Sequence, residues 1–209
     1  MTATLVAKDL EYARNDLQLF SGLNFELGPG DVLQIEGRNG SGKTTLLRIL
    51  CGLIQADKGQ ILWCGQDIQE DRFDYSINTS YIGHHDGLKG DCTPLENLAL
   101  SLALSAAEKN LSPHDALEKV GLKGFDHQLC RTLSAGQRRR VALARLLISP
   151  TRLWILDEPF TAIDQKGIGE LEQMIADHAK SGGMVILTSH HTINLPGVDF
   201  KTLIVGQNL

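Results

Sequence analysis

Apolar and polar residues alternate over Thr4 to Ala13 and again over Gly22 to Gly37, with a break at Gly28-Pro29-Gly30. This pattern predicts an antiparallel β region over residues 4–36. Gln60 sits in a similar short stretch, Gly59 to Ile68, which predicts a strand and turn. Ser80 to His85 (SYIGHH) predicts a buried strand ending in two histidines. The period then changes. Thr93-Pro94-Leu95-Glu96 is a capping box with proline at the first helical position, and Ser112-Pro113-His114-Asp115 opens a second helix in the same way. Residues from about 86 to 150 therefore predict a helical insertion between strands of the core, and the 209 residues predict one domain. Arg152 to Pro159 is an apolar run ending in two carboxylates, as in a parallel strand buried on both faces. A helix over Gly167 to Gly182, a core strand over Gly183 to His191, and a closing strand with a tail follow.

Val32 to Glu36 (VLQIE) reads as a strand and Thr44 to Leu53 as a helix, and the stretch between them carries the first chemistry. Gly37, Arg38, Asn39, Gly40, Ser41, Gly42, Lys43, Thr44 and Thr45 spell GRNGSGKTT, the full P-loop pattern. Glycines let several backbone N–H groups converge on one anion, and the helix start adds a favourable dipole. Lys43 supplies a point charge for the β- and γ-phosphates of a nucleotide, and the Thr44 hydroxyl can ligate Mg²⁺. Ser134, within Thr132 to Gln137 (TLSAGQ), predicts an N-cap and a second helix start suited to anions. Arg138, Arg139 and Arg140 follow as a solvated face or as partners of nearby carboxylates. Asp157 is placed to hold Mg²⁺ directly or through water, Glu158 to polarise an attacking water, and His190 to contact the γ-phosphate, all at strand ends where α/β sheets bind ligands. Tyr12 is either an adenine-stacking ring or an ordinary strand aromatic.

Bulk properties narrow the class. The net charge of −5 argues against a nucleic-acid partner. No apolar run approaches the ~20 residues that cross a bilayer, and the first residues lack a signal peptide's apolar segment. The expected location is therefore the cytoplasmic side, with any membrane spans supplied by another protein. Cys51, Cys64, Cys92 and Cys130 form no C-x-x-C pair, so reduced structural thiols are expected and no zinc site.

The order of P-loop, LSAGQ, LWILDEP and TSH closely resembles the ATP-binding subunits of ABC transporters, over nearly the whole chain. The resemblance implies an α/β P-loop ATPase core with an N-terminal antiparallel β region and an inserted helical subdomain. It makes Asp157 the Mg²⁺-binding acid, Glu158 the catalytic base and His190 the switch histidine. It makes Leu133, Ser134, Ala135, Gly136 and Gln137 the signature that covers ATP on a second copy, so a homodimer is implied. Ala135 stands where glycine is commoner. Ala162-Ile163-Asp164 matches the D-loop, although leucine usually precedes the Asp. His84 and His85 stand where the family has a glutamine, and either could be its equivalent; an imidazole there implies activity that depends on pH near neutrality. Within the family, FSGLNFEL, YIGHHDGLKGDCTPLENL and LTSHH resemble the ATPase of cytochrome c maturation, the haem exporter type. That implies a CcmB-like integral membrane permease, further maturation membrane proteins, and a place on the cytoplasmic face of the bacterial inner membrane. The competing readings are an exporter ATPase for a lipid, metal or small molecule, a soluble ABC protein acting on DNA or the ribosome, and a P-loop kinase in which LSAGQ would have no role.

Overall fold

The computed structural model describes residues 3–15, 17–104 and 111–206. Two sheets form its frame. The first is antiparallel, in the order β2-β1-β4-β5, from β1 (Leu5–Arg14), β2 (Leu17–Leu27), β4 (Lys58–Trp63) and β5 (Gln66–Asp67). The second is parallel, in the order β6-β7-β8-β3-β9, from β3 (Val32–Glu36), β6 (Thr79–Ile82), β7 (Leu153–Leu156), β8 (Met184–Thr188) and β9 (Phe200–Ile204). One expectation is corrected here. Val32–Glu36 does not belong to the antiparallel region: it pairs in parallel with β8 on one side and β9 on the other. The tail Gln207 to Leu209, expected after the closing strand, lies outside the described residues.

The inner strands β7 and β8 are buried on both faces, and their alternation sorts side chains between two cores. Leu153 and Ile155 of β7, with Met184 and Ile186 of β8, join the core beneath the antiparallel sheet, together with Leu46, Leu47, Ile49 and Leu50 of α1 (Lys43–Leu50). Trp154, Leu156, Val185 and Leu187 face the other way, onto α5 (Ala135–Ile148) and α6 (Gln165–Lys180). Each such aliphatic side chain contributes about 1.5–3 kcal/mol by leaving water. A third core lies among α3 (Pro94–Leu104), α4 (Pro113–Lys119) and the far face of α5, which supplies Val141, Ala144 and Ile148.

The helix starts follow local chemistry. Thr93 N–H donates to Glu96 Oε2 (2.7 Å) and Glu96 N–H to Thr93 Oγ1 (3.2 Å), the reciprocal bonds of a capping box. Ser112 Oγ accepts from Asp115 N–H, with Pro113 at the first position of α4. Ser134 and Gln137 make a second capping box at α5.

The Trp154 indole stacks on the His178 ring of α6, with centroids 3.7 Å apart and planes 4° from parallel. Burial holds the His178 imidazole down at about 4. The unfolded chain therefore binds a proton there before the folded one does. The stability from neutral His178 is complete above about pH 6.5 and is lost as pH falls toward about 4, by up to about 3 kcal/mol. His178→Phe keeps the stack without the titration. Its Tm is expected to fall less than the parent's between pH 7.5 and pH 5; an equal fall would contradict the assignment.

Candidate nucleotide site

Four parallel strands deliver the motif residues to one edge. The loop after β3 carries Gly37 to Gly42, β7 ends at Asp157 and Glu158, β8 leads to Ser189 and His190, and β6 leads to Gly83 and His84. All are carboxyl ends of neighbouring strands, where an open α/β sheet leaves room for a ligand. A cavity of about 630 Å³ lies there, lined by Asn39, Gly40, Gly42, Lys43, Thr44, Thr45, His84, Asp157, Glu158 and His190, with Arg14, Asn15, Leu17 and Leu19 from the end of β1 and the start of β2. That volume falls within the ~300–1,000 Å³ typical of small-molecule sites. A larger cavity, about 790 Å³ between α5 and α6, contains neither the phosphate loop nor the two acids.

The helix start is built for an anion. Gly42 has a left-handed backbone (φ 98°) and provides no side-chain cap. The first intrahelical bond runs from Leu46 N–H to Gly42 O (2.8 Å), so the N–H groups of Lys43, Thr44 and Thr45 precede the helical ladder. Lys43 Nζ donates to the carbonyls of Gly37 (2.8 Å) and Arg38 (3.3 Å), which holds the ammonium over the loop.

On the opposite side, Asp157 is 2% exposed. Its Oδ1 accepts from Thr188 Oγ1 (2.9 Å), which in turn accepts from Glu158 N–H (2.9 Å). Its Oδ2 is buried with no protein donor, and so is Ser41 Oγ in the loop. Orphaned buried oxygens of this kind call for a ligand. A carboxylate oxygen facing a threonine hydroxyl across one cavity is a hard-oxygen donor set that fits Mg²⁺, which takes few protein ligands. Among the described residues no group of three His, Cys, Asp or Glu forms a metal site.

Glu158 has a left-handed backbone, φ 49°. Its Oε2 accepts from His190 N–H (3.2 Å), and its Oε1 lies 3.5 Å from His190 Nε2. The expected base and switch histidine are thus brought together. Of the two histidines in place of glutamine, His84 lines the cavity and His85 does not, their rings lying 5.5 Å apart.

Two groups of expected residues stay away from this cavity. Tyr12 is not among its lining; it packs into the core, its ring 6.3 Å from that of Phe20. The β1–β2 pairing is irregular on both sides of Tyr12. Leu133 is buried, whereas Ser134 and Ala135 are exposed at the start of α5, and none of Leu133 to Gln137 lines the cavity. A Cβ on Gly136 would lie 2.5 Å from the carbonyl oxygen of Ala162, so only glycine lets α5 begin against that turn. Asp164 caps α6 through Gly167 N–H (2.9 Å) and pairs with Arg140 (2.6 Å). The Gly167 bond and the Arg140 charge hold its carboxyl below the ordinary value.

Sequence reasoning missed the part played by Arg139, which the structure buries beneath the two acids, 3% exposed. Burial pulls its guanidinium below the ordinary value, while Asp86, Asp157 and Glu158 oppose that pull. Three cations at the start of a helix oppose its dipole, and this was the available signal that one of them had acceptors elsewhere.

Similarity to known proteins agrees with this geometry. Residues 20–161 match the family profile described as ABC transporter. The chain is 50% identical over 198 residues to the cytochrome c biogenesis ATP-binding export protein CcmA of Methylococcus capsulatus, covering 93% of this chain and 95% of that one. The chain belongs to the CcmA family of ABC transporter ATP-binding proteins. The Pseudomonas putida CcmA is 48% identical over 207 residues, 99% of both chains. A solved structure of an ATP-binding subunit of an ABC transporter superposes with a TM-score of 0.81 at 23% identity, over 89% of this chain and 79% of that one, and shows the same fold. As a member of the CcmA family the chain is an ABC transporter ATPase, and ABC ATPases bind ATP and act with a membrane permease. Among its described residues no helix is long and apolar enough to cross a membrane.

Proposed function

We propose that this chain powers an export step of cytochrome c biogenesis by hydrolysing ATP between two copies of itself, on the cytoplasmic face of a bacterial inner membrane. The observation that carries the reading is the meeting of the phosphate loop, Asp157, Glu158 and His190 at one sheet edge, with the Ser134 helix start exposed outside it. Lys43 and the N–H groups of the loop hold the β- and γ-phosphates. Thr44 and Asp157 hold Mg²⁺, which when bound offsets charge on the phosphate oxygens. Glu158 accepts the proton of the attacking water as the new oxygen–phosphorus bond forms and the bond to ADP breaks. His190 touches the γ-phosphate and holds the Glu158 carboxylate through the contacts described above. The second copy's Ser134 and Gly136 close over the triphosphate, exclude water and complete its shell of donors. Loss of the γ-phosphate removes what holds the copies together, and that difference in binding is available to move an attached membrane subunit.

The same reading gives the permease a place. A cleft of about 210 Å³ runs along the edge strand β6, lined by Thr79 to Ile82, Ser101 of α3 and Arg145 of α5. Arg145 also donates to the Asp86 carbonyl (2.7 Å), two residues from His84. A CcmB-like permease is the proposed occupant, with haem handling for c-type cytochromes as the task. Purification of the tagged chain from its native membranes, with partners identified by mass, is the test. An integral membrane permease of that kind is expected. Recovery without any integral membrane protein would contradict the assignment.

His84 lines the cavity where the family has a glutamine, so replacing the imidazoles is expected to alter ATP hydrolysis between about pH 5 and 8. The ATPase profile of a double His84→Gln, His85→Gln variant is expected to differ from the parent's in that window. Superimposable profiles would remove the effect.

A further inference from the structure

Arg139 joins three parts of the site that are far apart in sequence. Its Nη1 donates to the carbonyl of Gly83 (2.8 Å), which opens the segment carrying His84. Its Nη2 donates to the carbonyls of Asp157 (2.8 Å) and Glu158 (2.9 Å), and its Nε lies 3.4 Å from that of Pro159. Asp86 Oδ1 sits 3.6 Å from Nη1 and offsets the charge. One side chain therefore holds the backbone of both acids, the turn after them and the His84 segment. It stands on α5, whose cap, Ser134, lies five positions before it.

Its two neighbours are used elsewhere. Arg138 donates to the carbonyl of Leu133 at the helix start, and Arg140 pairs with Asp164 and Glu170. Helical spacing turns only the middle arginine of the run toward the sheet edge. Residue type matters here. Guanidinium presents five donors in a fixed plane, enough for several carbonyls at once, whereas an ammonium has three and a thioether none. The left-handed Glu158 backbone is a conformation that persists only where surrounding contacts over-determine it.

We propose that Arg139 is a positioning residue for ATP hydrolysis: it fixes the backbone that aims Glu158 and ties that turn and the His84 segment to the helix whose cap engages the second copy. The proposal rests on the nucleotide site described above. It separates two quantities. Phosphate binding uses Lys43 and the loop, which Arg139 does not touch, so ATP affinity is independent of it. The chemical step needs Glu158 aimed at water, so kcat depends on it.

The test uses the full chain with Arg139→Met and Arg139→Lys, each alone and combined with Glu158→Gln, followed by ATP affinity, single-turnover rate, kcat and Tm. Arg139→Met is expected to lower kcat by about 10²-fold, the scale of a small misplacement of a reacting group, with ATP affinity unchanged within error. Arg139→Lys is expected to recover part of that loss. In the Glu158→Gln background neither change should slow the residual rate further, because the group being aimed is already gone. Parental kcat in Arg139→Met would overturn the proposal. So would kcat, affinity and Tm falling together, or losses that multiply with that of Glu158→Gln. Should Arg139→Met fail to fold, Arg139→Lys decides: reduced kcat at unchanged affinity and Tm supports the role, and parental kcat refutes it. A parent that binds no ATP would instead sink the nucleotide-site reading, an outcome distinct from all of these.

Discussion

Glu158→Gln is expected to retain ATP binding while its turnover falls by about 10²–10⁴-fold, the usual contribution of a positioned general base. The substitution keeps the size of the side chain and one acceptor oxygen, so the bond from His190 N–H (3.2 Å) survives. The loop that holds the phosphates does not contact Glu158 through any of the bonds described. What disappears is the carboxylate's capacity to take a proton from water. Removing a negative charge beside the bound triphosphate also lowers repulsion in a partly buried site, so affinity should hold or rise. The ATP-bound state should then accumulate. Steady-state ATPase together with equilibrium nucleotide binding checks both halves. Turnover at the parental rate would exclude Glu158 as the base.

Lys43→Ala should fail in the opposite way, at binding. The ammonium is held over the loop by the Gly37 and Arg38 carbonyls, beside the N–H groups at the start of α1. Removing it deletes the ammonium that the loop holds for the β- and γ-phosphates. Charge-assisted hydrogen bonds contribute about 1.5–3 kcal/mol each, so ATP affinity is expected to weaken by roughly 10- to 100-fold or more. Tm without nucleotide should change little, because Lys43 lies outside the three cores. Titration with ATP, read alongside thermal unfolding, separates the two effects. Unchanged affinity would contradict the phosphate-binding role of Lys43.

What the sequence revealed and what it hid follow from the range of the interactions. Caps are local, so Thr93 with Glu96 and Ser134 with Gln137 could be read from spacing alone. The double burial of β7 and β8 was legible because no polar residue interrupts LWIL or MVIL. Val32–Glu36 was recognised as a strand, but alternation carries no information about its partners. Those are β8 and β9, from the far end of the chain. The face that Tyr12 presents was not legible for a related reason: the β1–β2 ladder is irregular on both sides of it, and a strict two-residue period does not anticipate that. His84 and His85 could not be separated, because the segment after β6 has no period to assign faces. Arg139 was hidden by its neighbours. Three consecutive arginines read alike, although helical geometry sends each to a different environment.

The claim on which the mechanism turns is that ATP joins two copies through the loop of one and the Ser134 helix start of the other. Sedimentation of the Glu158→Gln protein, with and without ATP and Mg²⁺, measures this most directly, with a Glu158→Gln, Ser134→Arg variant alongside. The expected result is one chain without nucleotide and two with it, while the Ser134→Arg variant still binds ATP but remains single. Saturation with ATP at unchanged mass across the accessible protein concentrations, or equal dimerisation of the Ser134→Arg variant, would contradict the claim.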